Sequence, residues 1–357
     1  MGFRGDGGVR TGGLDVSQDG GALASLKLEL AWFSGLPLLM SRRYGGAGVI
    51  LRLQRVRPAR RDRFQPLRSR EITPAFLDAL LRKLRRWNFD IVGIDEACRR
   101  AGQPRSARRF VCLTFDCGYH DLVANAWPVL ARHAVPFTVY LPTAFPDGVG
   151  EAWWLALEAV IAKRDRISLM MDHRERHFSI PTVAEKYQLY AFLESWMRAL
   201  APQDRSGAIH DLCLRYSVDL AALSREESMR WDEVAQLVAD PLVTIGSATV
   251  NYPALSSLTD AAALREITMG RAVLEAALGY DPVHVAFPFG DSKSFGLRDV
   301  TMARQAGFAS AVTSVPGVVL PDGRSNLHAL PRLTWDGRRR SLRALRVMLS
   351  GMALSAR

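Results

Sequence analysis

The sequence predicts an α/β protein of the barrel type, and three observations support this fold class. Apolar runs of strand length alternate with helical patterns at short intervals, which is typical of parallel βαβ units. Several of these runs leave polar residues at their C-terminal ends, as barrel strands do at the functional face. With 357 residues, 48% of them hydrophobic, the chain can bury a large core. A doubly wound open sheet is the main alternative, although no Gly-rich phosphate loop supports it.

The first half of the chain supplies the clearest alternation. Residues 47–56 begin with β-branched and apolar residues and predict a strand. Thr73 and Pro74 are typical of the start of a helix. The elements then follow in order: a helix at 72–89, a short strand running into a helix at 90–102, a strand at 108–116, a helix at 122–135 and a strand at 136–143.

The rhythm changes at about 150–230, where helical patterns surround one strand-like piece at 166–180, and we interpret this part as an insertion. The alternation resumes at 241–250 and continues to 329–335. The predicted division is an N-terminal tail with a short helix at 1–45, a barrel at 46–336 and a basic amphipathic helix at 337–357. We expect this last helix to dock against the body, with membrane-surface contact as the alternative.

Lys and Arg outnumber Asp and Glu by 47 to 36, which gives a net charge of +11. The basic residues concentrate at 52–70, 99–109 and 338–346. Such clusters can attract an anionic polymer or surface, but a solvated basic surface explains them as well. No nucleic-acid motif is present, so we expect no specific nucleic-acid partner.

The cysteine pattern and the N-terminal residues predict a cytoplasmic protein with reduced thiols. The cysteines are few and dispersed, with no CxxC clamp, which argues against a disulfide framework. The opening residues lack the charged-then-apolar layout of a secretory signal. The apolar stretch 23–41 is interrupted by Lys27, Glu29 and Pro37, so it does not predict a membrane span.

Polar residues at the predicted strand ends are the candidates for function on the barrel interpretation. The clearest group is "LTFDCGYHD" (113–121), in which an apolar strand ends in a carboxylate and a thiol. The full set consists of Asp116, Cys117, Ser247, Asn251, Pro288 and Phe289.

Four stretches together resemble the polysaccharide deacetylase family, also called the NodB-homology or carbohydrate esterase family 4 group, which includes chitooligosaccharide deacetylases. "LTFDCGYHD" resembles the family motif TFDDGY, and "VTIGSATVNYPALSSL" (243–258) is similar to GSHTxxHPxL. "VAFPFGD" (285–291) resembles F-[AR]-x-P-[YF]-G. "AGFASAVTSVPG" followed by "ALPRL" is similar to the end of the family domain. The resemblance covers roughly residues 45–335 and implies a distorted (β/α)7 barrel.

The resemblance also implies a chemistry, the hydrolysis of an N-acetyl amide on a sugar. In the family a zinc or other divalent metal polarises the carbonyl and activates water. The first Asp of TFDDG is the base, and the second Asp with the two His of HxxxH binds the metal. On this chain the base position is Asp116, but the three ligand positions are Cys117, Ala248 and Tyr252. These residues do not supply the three protein ligands that a catalytic zinc needs.

Other readings of the same residues remain open. A rebuilt zinc site could use Cys117 with His120, His284 and His328, although no His pair has ligand spacing. Nucleophilic catalysis by Cys117 is disfavoured because a neighbouring carboxylate raises the pKa of a thiol. Asp116 could also persist as a structural hydrogen-bond acceptor.

Aromatic residues near the motifs suggest contacts with a sugar ring. Trp153, Trp154 and Phe289 could stack on a saccharide, with Pro288 in the wall, although Trp at helical positions is equally typical of a core. In "PFG", Gly290 permits a tight bend. A further departure from the family lies at the end of the first strand, where relatives often carry His and this chain has Gln54 and Arg55.

Two hypotheses follow for the function of this chain, and in both the partner is an N-acetylated oligosaccharide or polysaccharide. In the first, the chain is a deacetylase whose activity is weakened or altered. In the second, the barrel mouth binds a saccharide, or regulates a partner enzyme, without chemistry. Measurements of bound zinc and acetate release separate them.

Overall fold

The computed structural model describes residues 44–172, 174–339 and 341–351. Within these ranges, the main sheet consists of parallel strands, and helices pack around it. Almost all of the predicted tail at 1–45, and the last residues of the predicted C-terminal helix, lie outside the described residues.

The main sheet has eight strands, and seven of them follow one path. A parallel bridge between Val312 and Leu330 brings the two ends of this path together, so the sheet is nearly closed. The order along the path is β11 (Ser310–Val312), β10 (His284–Ala286), β9 (Val243–Ser247), β6 (Phe137–Leu141), β5 (Phe110–Asp116), β1 (Gly48–Leu53) and β12 (Arg332–Thr334).

The eighth strand explains why the barrel is distorted. Strand β4 (Asp90–Val92) pairs with residues 110–112 of β5, whereas β6 pairs with residues 113–116 on the same edge. One edge of β5 is therefore shared by two strands. A separate two-stranded sheet joins β2 (Arg55–Val56) to β3 (Glu71–Ile72).

Alternation along the strands decides which side chains enter the barrel. Leu51 and Leu113 pack with Leu77 and Leu130 of the surrounding helices, so this set faces outward. Since side chains alternate in a strand, the intervening residues face the barrel interior. By this alternation, the side chains of Arg52 on β1 and of Asp116 at the end of β5 face the barrel interior.

Eleven helices of the α class lie in the described residues, and the first has the predicted start. Thr73 accepts a hydrogen bond from the Phe76 N–H at 3.1 Å, and Pro74 occupies the first position. The helices are α1 (Pro74–Arg86), α2 (Ile94–Ala101), α3 (Trp127–Arg132), α4 (Trp153–Ala162), α5 (Val183–Ala199), α6 (Pro202–Tyr216), α7 (Leu220–Glu227), α8 (Trp231–Val238), α9 (Asp260–Leu278), α10 (Leu297–Gln305) and α11 (Leu342–Leu349).

The predicted insertion lies between β6 and β9. It contains helices α4 to α7 and an antiparallel hairpin of β7 (Arg166–Met171) and β8 (Arg174–Ser179). The Trp154 indole donates to the Tyr119 hydroxyl at 2.8 Å, and Arg55 forms an ion pair with Glu227. These contacts hold the insertion over the ends of β1 and β5.

Helix α11 packs against the outside of the barrel. Its residues Leu345 and Leu349 are fully buried in the outer core, and Arg109 donates to the Leu349 carbonyl at 2.7 Å. The described part of the basic C-terminal segment is thus docked.

The predicted fold class, a distorted (β/α)7 barrel with a helical insertion, is confirmed. The near-closure between β11 and β12 separates it from the open-sheet alternative. Among the described residues, no helix has both the length and the apolarity needed to cross a bilayer.

Candidate functional site

The end of strand β5 places Asp116 inside the barrel, where it is almost completely buried at 1% exposure. Two arginines hold its carboxylate. Arg332, at the start of β12, donates to both oxygens, from Nη1 at 2.6 Å and from Nη2 at 2.9 Å. Arg52 of β1 donates from Nε to Oδ2 at 2.5 Å. Neither carboxylate oxygen is left without a guanidinium partner.

This arrangement fixes the charge state of Asp116. Burial opposes ionisation of the carboxyl, but the charges and hydrogen bonds of Arg332 and Arg52 outweigh it. They hold the pKa of Asp116 below its usual value. Arg332 itself is fully buried, and it donates further to the Thr313 carbonyl at 2.6 Å and the Thr114 hydroxyl at 3.2 Å. The carboxylate is therefore ionised and held rigidly.

The three positions that the sequence resemblance aligns with metal ligands contain the buried thiol of Cys117, the methyl group of Ala248 and the buried phenol of Tyr252. Burial, followed by the charge of Asp116, raises the pKa of the Cys117 thiol to about 11. Burial also raises the pKa of the Tyr252 phenol well above its usual value. The Tyr252 hydroxyl lies 3.4 Å from Nη2 of Arg52. In the described part of the chain, no group of three or more His, Cys, Asp or Glu residues is arranged to hold a metal ion.

The loops around Asp116 contain non-glycine residues with positive φ. Cys117 has φ 76°, Tyr252 φ 56° and Phe289 φ 59°. Such conformations cost about 1–3 kcal/mol each and cluster at functional sites, where the surrounding structure maintains them. They turn three separate loops inward over the end of β5.

A cavity of about 100 Å³ opens beside the end of β5, and its lining includes three arginines and three aromatic residues. A thiol, a carboxylate and an amide group complete the lining. The lining residues are Arg52, Gln54, Arg70, Cys117, Trp154, Arg198, Tyr252, Phe289 and Asp291.

The insertion and the loop after β2 supply two of the lining arginines. Arg70 ends the 3₁₀ helix Pro66–Arg70 and forms an ion pair with Glu194 of α5. Arg198, also on α5, pairs with Asp291 and lies over the Phe289 ring, with its guanidinium carbon 4.4 Å from the ring centroid. The insertion thus forms one wall of the cavity.

The structure brings together some of the predicted site residues and not others. Cys117 and Phe289 line the cavity, whereas Asp116 and Pro288 are buried and do not line it; Asp116 contacts the lining residue Arg52. Trp154 lines the cavity, whereas Trp153 packs behind it with the ring centroids 5.5 Å apart.

Two other predicted mouth residues have structural contacts instead. The Ser247 hydroxyl accepts a hydrogen bond from the Thr249 N–H at 3.2 Å. The Asn251 side chain donates to Glu266 at 2.7 Å. Neither residue lines the cavity.

The four residues considered for a rebuilt zinc site are not brought together. His120 contacts Glu233 at 2.6 Å, and His328 contacts the Phe308 carbonyl at 2.8 Å. His284 begins β10, at the end of the barrel opposite Asp116. There it lies between Asp95 at 2.9 Å and Ser310 at 2.8 Å.

Sequence reasoning missed the arginines that dominate this site. Arg52 is the one charged residue in the strand GVILRL, and this charge at an inward position is the signal that could have identified it. Arg332 begins a strand of only three residues, RLT, so its signal is weaker. Arg70 and Arg198 carried no comparable signal, because only the folded chain brings the 3₁₀ helix and α5 to the mouth.

Comparison with known proteins agrees with this architecture. Residues 210–310 match the family model described as polysaccharide deacetylase. None of the curated proteins compared gives a significant match.

Several solved deacetylase structures share the fold at low sequence identity. The deacetylase PplD from Streptococcus pyogenes, solved with acetate, has 13% identity and a TM-score of 0.55, with 84% of this chain and 97% of that chain covered. IcaB from Ammonifex degensii has 17% identity and a TM-score of 0.52, with 85% and 98% covered. The polysaccharide deacetylase BC0361 from Bacillus cereus has 14% identity and a TM-score of 0.53, with 84% and 68% covered. The chain thus has the fold of solved polysaccharide deacetylases, and its residues 210–310 match the polysaccharide deacetylase family model.

Proposed function

We propose that the barrel mouth binds a saccharide and does not hydrolyse N-acetyl groups by the family's metal-dependent route. The observation that carries this proposal is the pairing of Asp116 with both Arg52 and Arg332. The family acts on N-acetylated polysaccharides, and this class is the starting point for the saccharide.

Asp116 is poorly suited to act as a general base. A base works best when its pKa lies near the working pH, and the two arginines move the pKa of Asp116 in the opposite direction. Its lone pairs are also directed at Nε of Arg52 and at both terminal nitrogens of Arg332. Proton abstraction would have to break these buried, charge-assisted hydrogen bonds.

The donors at the three family positions do not fit a divalent metal. Ala248 has no ligand atom, and the Cys117 thiol and the Tyr252 phenol both have raised pKa values, so they stay protonated near neutral pH. Metal binding requires the deprotonated forms. The Arg52 guanidinium beside Tyr252 would also repel a cation at this place.

The remaining features of the mouth suit binding. Trp154, Tyr252 and Phe289 form a continuous aromatic floor, with ring centroids 5.1–6.5 Å apart. Aromatic side chains combine a large apolar surface with a polar handle, as a sugar ring requires. Gln54 lines the same cavity, and its amide makes no hydrogen bond with any described residue.

The test combines zinc content, acetate release and binding of chito-oligosaccharides. We expect the unmodified protein to purify without stoichiometric zinc and to release no acetate, yet to bind a saccharide in calorimetry. The comparison variant carries Cys117→Asp, Ala248→His and Tyr252→His. Turnover by the unmodified protein, or a failure to bind any saccharide, would refute the proposal.

A further inference from the structure

We propose that the cavity is specific for a saccharide that bears a carboxylate, such as a hexuronic acid unit. This inference rests on the proposed saccharide-binding function and names its ligand class. It starts from three guanidinium groups, Arg52, Arg70 and Arg198, that line one small cavity together.

Each of these guanidiniums keeps donors that the protein does not use. Arg52 donates through Nε and Nη2, and no described residue accepts from its Nη1. Arg70 and Arg198 each donate only through Nη2, to Glu194 and to Asp291 with Ser294. A guanidinium has five N–H groups in a fixed fork that matches a carboxylate. Three arginines with unused donors therefore line the same cavity.

The charges around the cavity favour a ligand with a single negative charge. The charge count includes a fourth arginine, Arg332, in addition to the three that line the cavity, because Arg332 and Arg52 both pair with Asp116. Their described partners are only three carboxylates, namely Asp116, Glu194 and Asp291. One positive charge is left without a carboxylate. A neutral acetamide would leave it uncompensated, and a phosphate monoester, with about −1.5 to −2 charges, would exceed it.

The size and shape of the cavity agree with a carboxylate on a sugar. A volume of about 100 Å³ has room for several water molecules, which is enough for a carboxylate and part of its ring. Phe289 is already covered on one face by Arg198, at 4.4 Å. Trp154 and Tyr252 remain as the apolar surface for the C–H groups of the ring, while Gln54 can hydrogen-bond its hydroxyls.

The experiment measures binding by calorimetry at 0.15 M salt with four probes: a tetramer of a hexuronic acid, a neutral chitotetraose, sodium acetate and inorganic phosphate. We expect the uronic acid tetramer to bind at least tenfold more tightly than chitotetraose, and acetate and phosphate to bind weakly or not at all. Tight binding of free phosphate would overturn the single-charge argument.

The matched variants are Arg198→Gln and Arg215→Gln, which both remove an ion-paired arginine from the insertion. Arg215 pairs with Asp211 and Glu175 at the surface and does not line the cavity. Hydrogen bonds between a guanidinium and a carboxylate are charge-assisted and stronger than those between neutral groups. Arg198→Gln should therefore weaken uronic acid binding at least tenfold, whereas Arg215→Gln should leave it unchanged.

The outcomes distinguish this inference from the proposed function. If chitotetraose binds as tightly as the uronic acid, or if Arg198→Gln has no effect, the carboxylate preference is wrong and saccharide binding stands. Equal weakening by both variants would indicate attraction to the basic surface and would also overturn the inference. If no saccharide binds, the proposed function itself fails.

Discussion

Replacing Asp116 with Asn should destabilise the protein strongly. The substitution keeps the shape of the side chain but removes the charge that two buried arginines share, and Arg332 has no exposure to solvent. Breaking a buried ion pair by removing one partner costs about 3–5 kcal/mol, because the other charge stays buried and unpaired. With two arginines left, we expect a value at the upper end of this range.

The assay is urea unfolding of the native protein and the variant at pH 7, followed by fluorescence. A matched variant, Asp121→Asn, removes the carboxylate that Arg55 contacts at 2.6 Å. Arg55 keeps Glu227 as a second partner, so this loss should be smaller. A triple variant, Arg52→Met with Asp116→Leu and Arg332→Met, should recover most of the stability because it removes all three charges together.

The same interaction predicts a pH dependence. Because the folded pKa of Asp116 is depressed, its contribution to stability is fully present above the unfolded value, about 3.9, and is lost as the pH falls through the folded pKa. The difference in unfolding free energy between the native protein and Asp116→Asn should stay constant from pH 7 to about 5 and shrink below about 4. A loss under about 1 kcal/mol at pH 7, or a difference unchanged at pH 3, would refute the reasoning.

Three further predictions concern the same region. Cys117 should resist alkylation at pH 8 in the folded protein and react after unfolding, because it is 2% exposed and its thiol pKa is raised to about 11. Mass spectrometry of iodoacetamide adducts checks this. Rapid modification of the native protein would contradict it. Gly118→Ala should lower the free energy of unfolding by about 1–3 kcal/mol, since the residue has φ +57° and an added Cβ would lie 2.1 Å from the Leu141 side chain. The control is Gly207→Ala, in a helix, where an added Cβ meets nothing within 4 Å. It should raise the free energy of unfolding by about 0.5–1 kcal/mol in the same urea assay. Restoring the family ligands through Cys117→Asp, Ala248→His and Tyr252→His should not by itself yield tight zinc binding. Adding Arg52→Met should increase the zinc affinity, because it removes the guanidinium next to position 252. Equal zinc affinity with and without Arg52 would show that the guanidinium does not oppose the metal.

Much of the fold and part of the site could be predicted from the sequence, because both depend on local patterns. Buried parallel strands are continuous apolar runs, and the start of α1 is marked by Thr73 and Pro74. The motif stretches were also sufficient to place Asp116 and Cys117 at a strand end. The subdivision at 1–45, 46–336 and 337–357, and the cytoplasmic location, stay predictions.

The sequence by itself determined the barrel and the insertion, because both follow from patterns among neighbouring residues. It also determined that Cys117, Ala248 and Tyr252 stand at the positions that the motif resemblance aligns with metal ligands. Only the tertiary structure decided what surrounds them. Arg332 lies 216 residues from Asp116 along the chain, and Arg198 reaches the mouth from the insertion. Contacts between such distant residues depend on barrel closure and strand register, which no local pattern encodes. Because of these contacts, Asp116 is the centre of a buried ion cluster with Arg52 and Arg332, next to a cavity lined by arginines, and is poorly suited to act as a base.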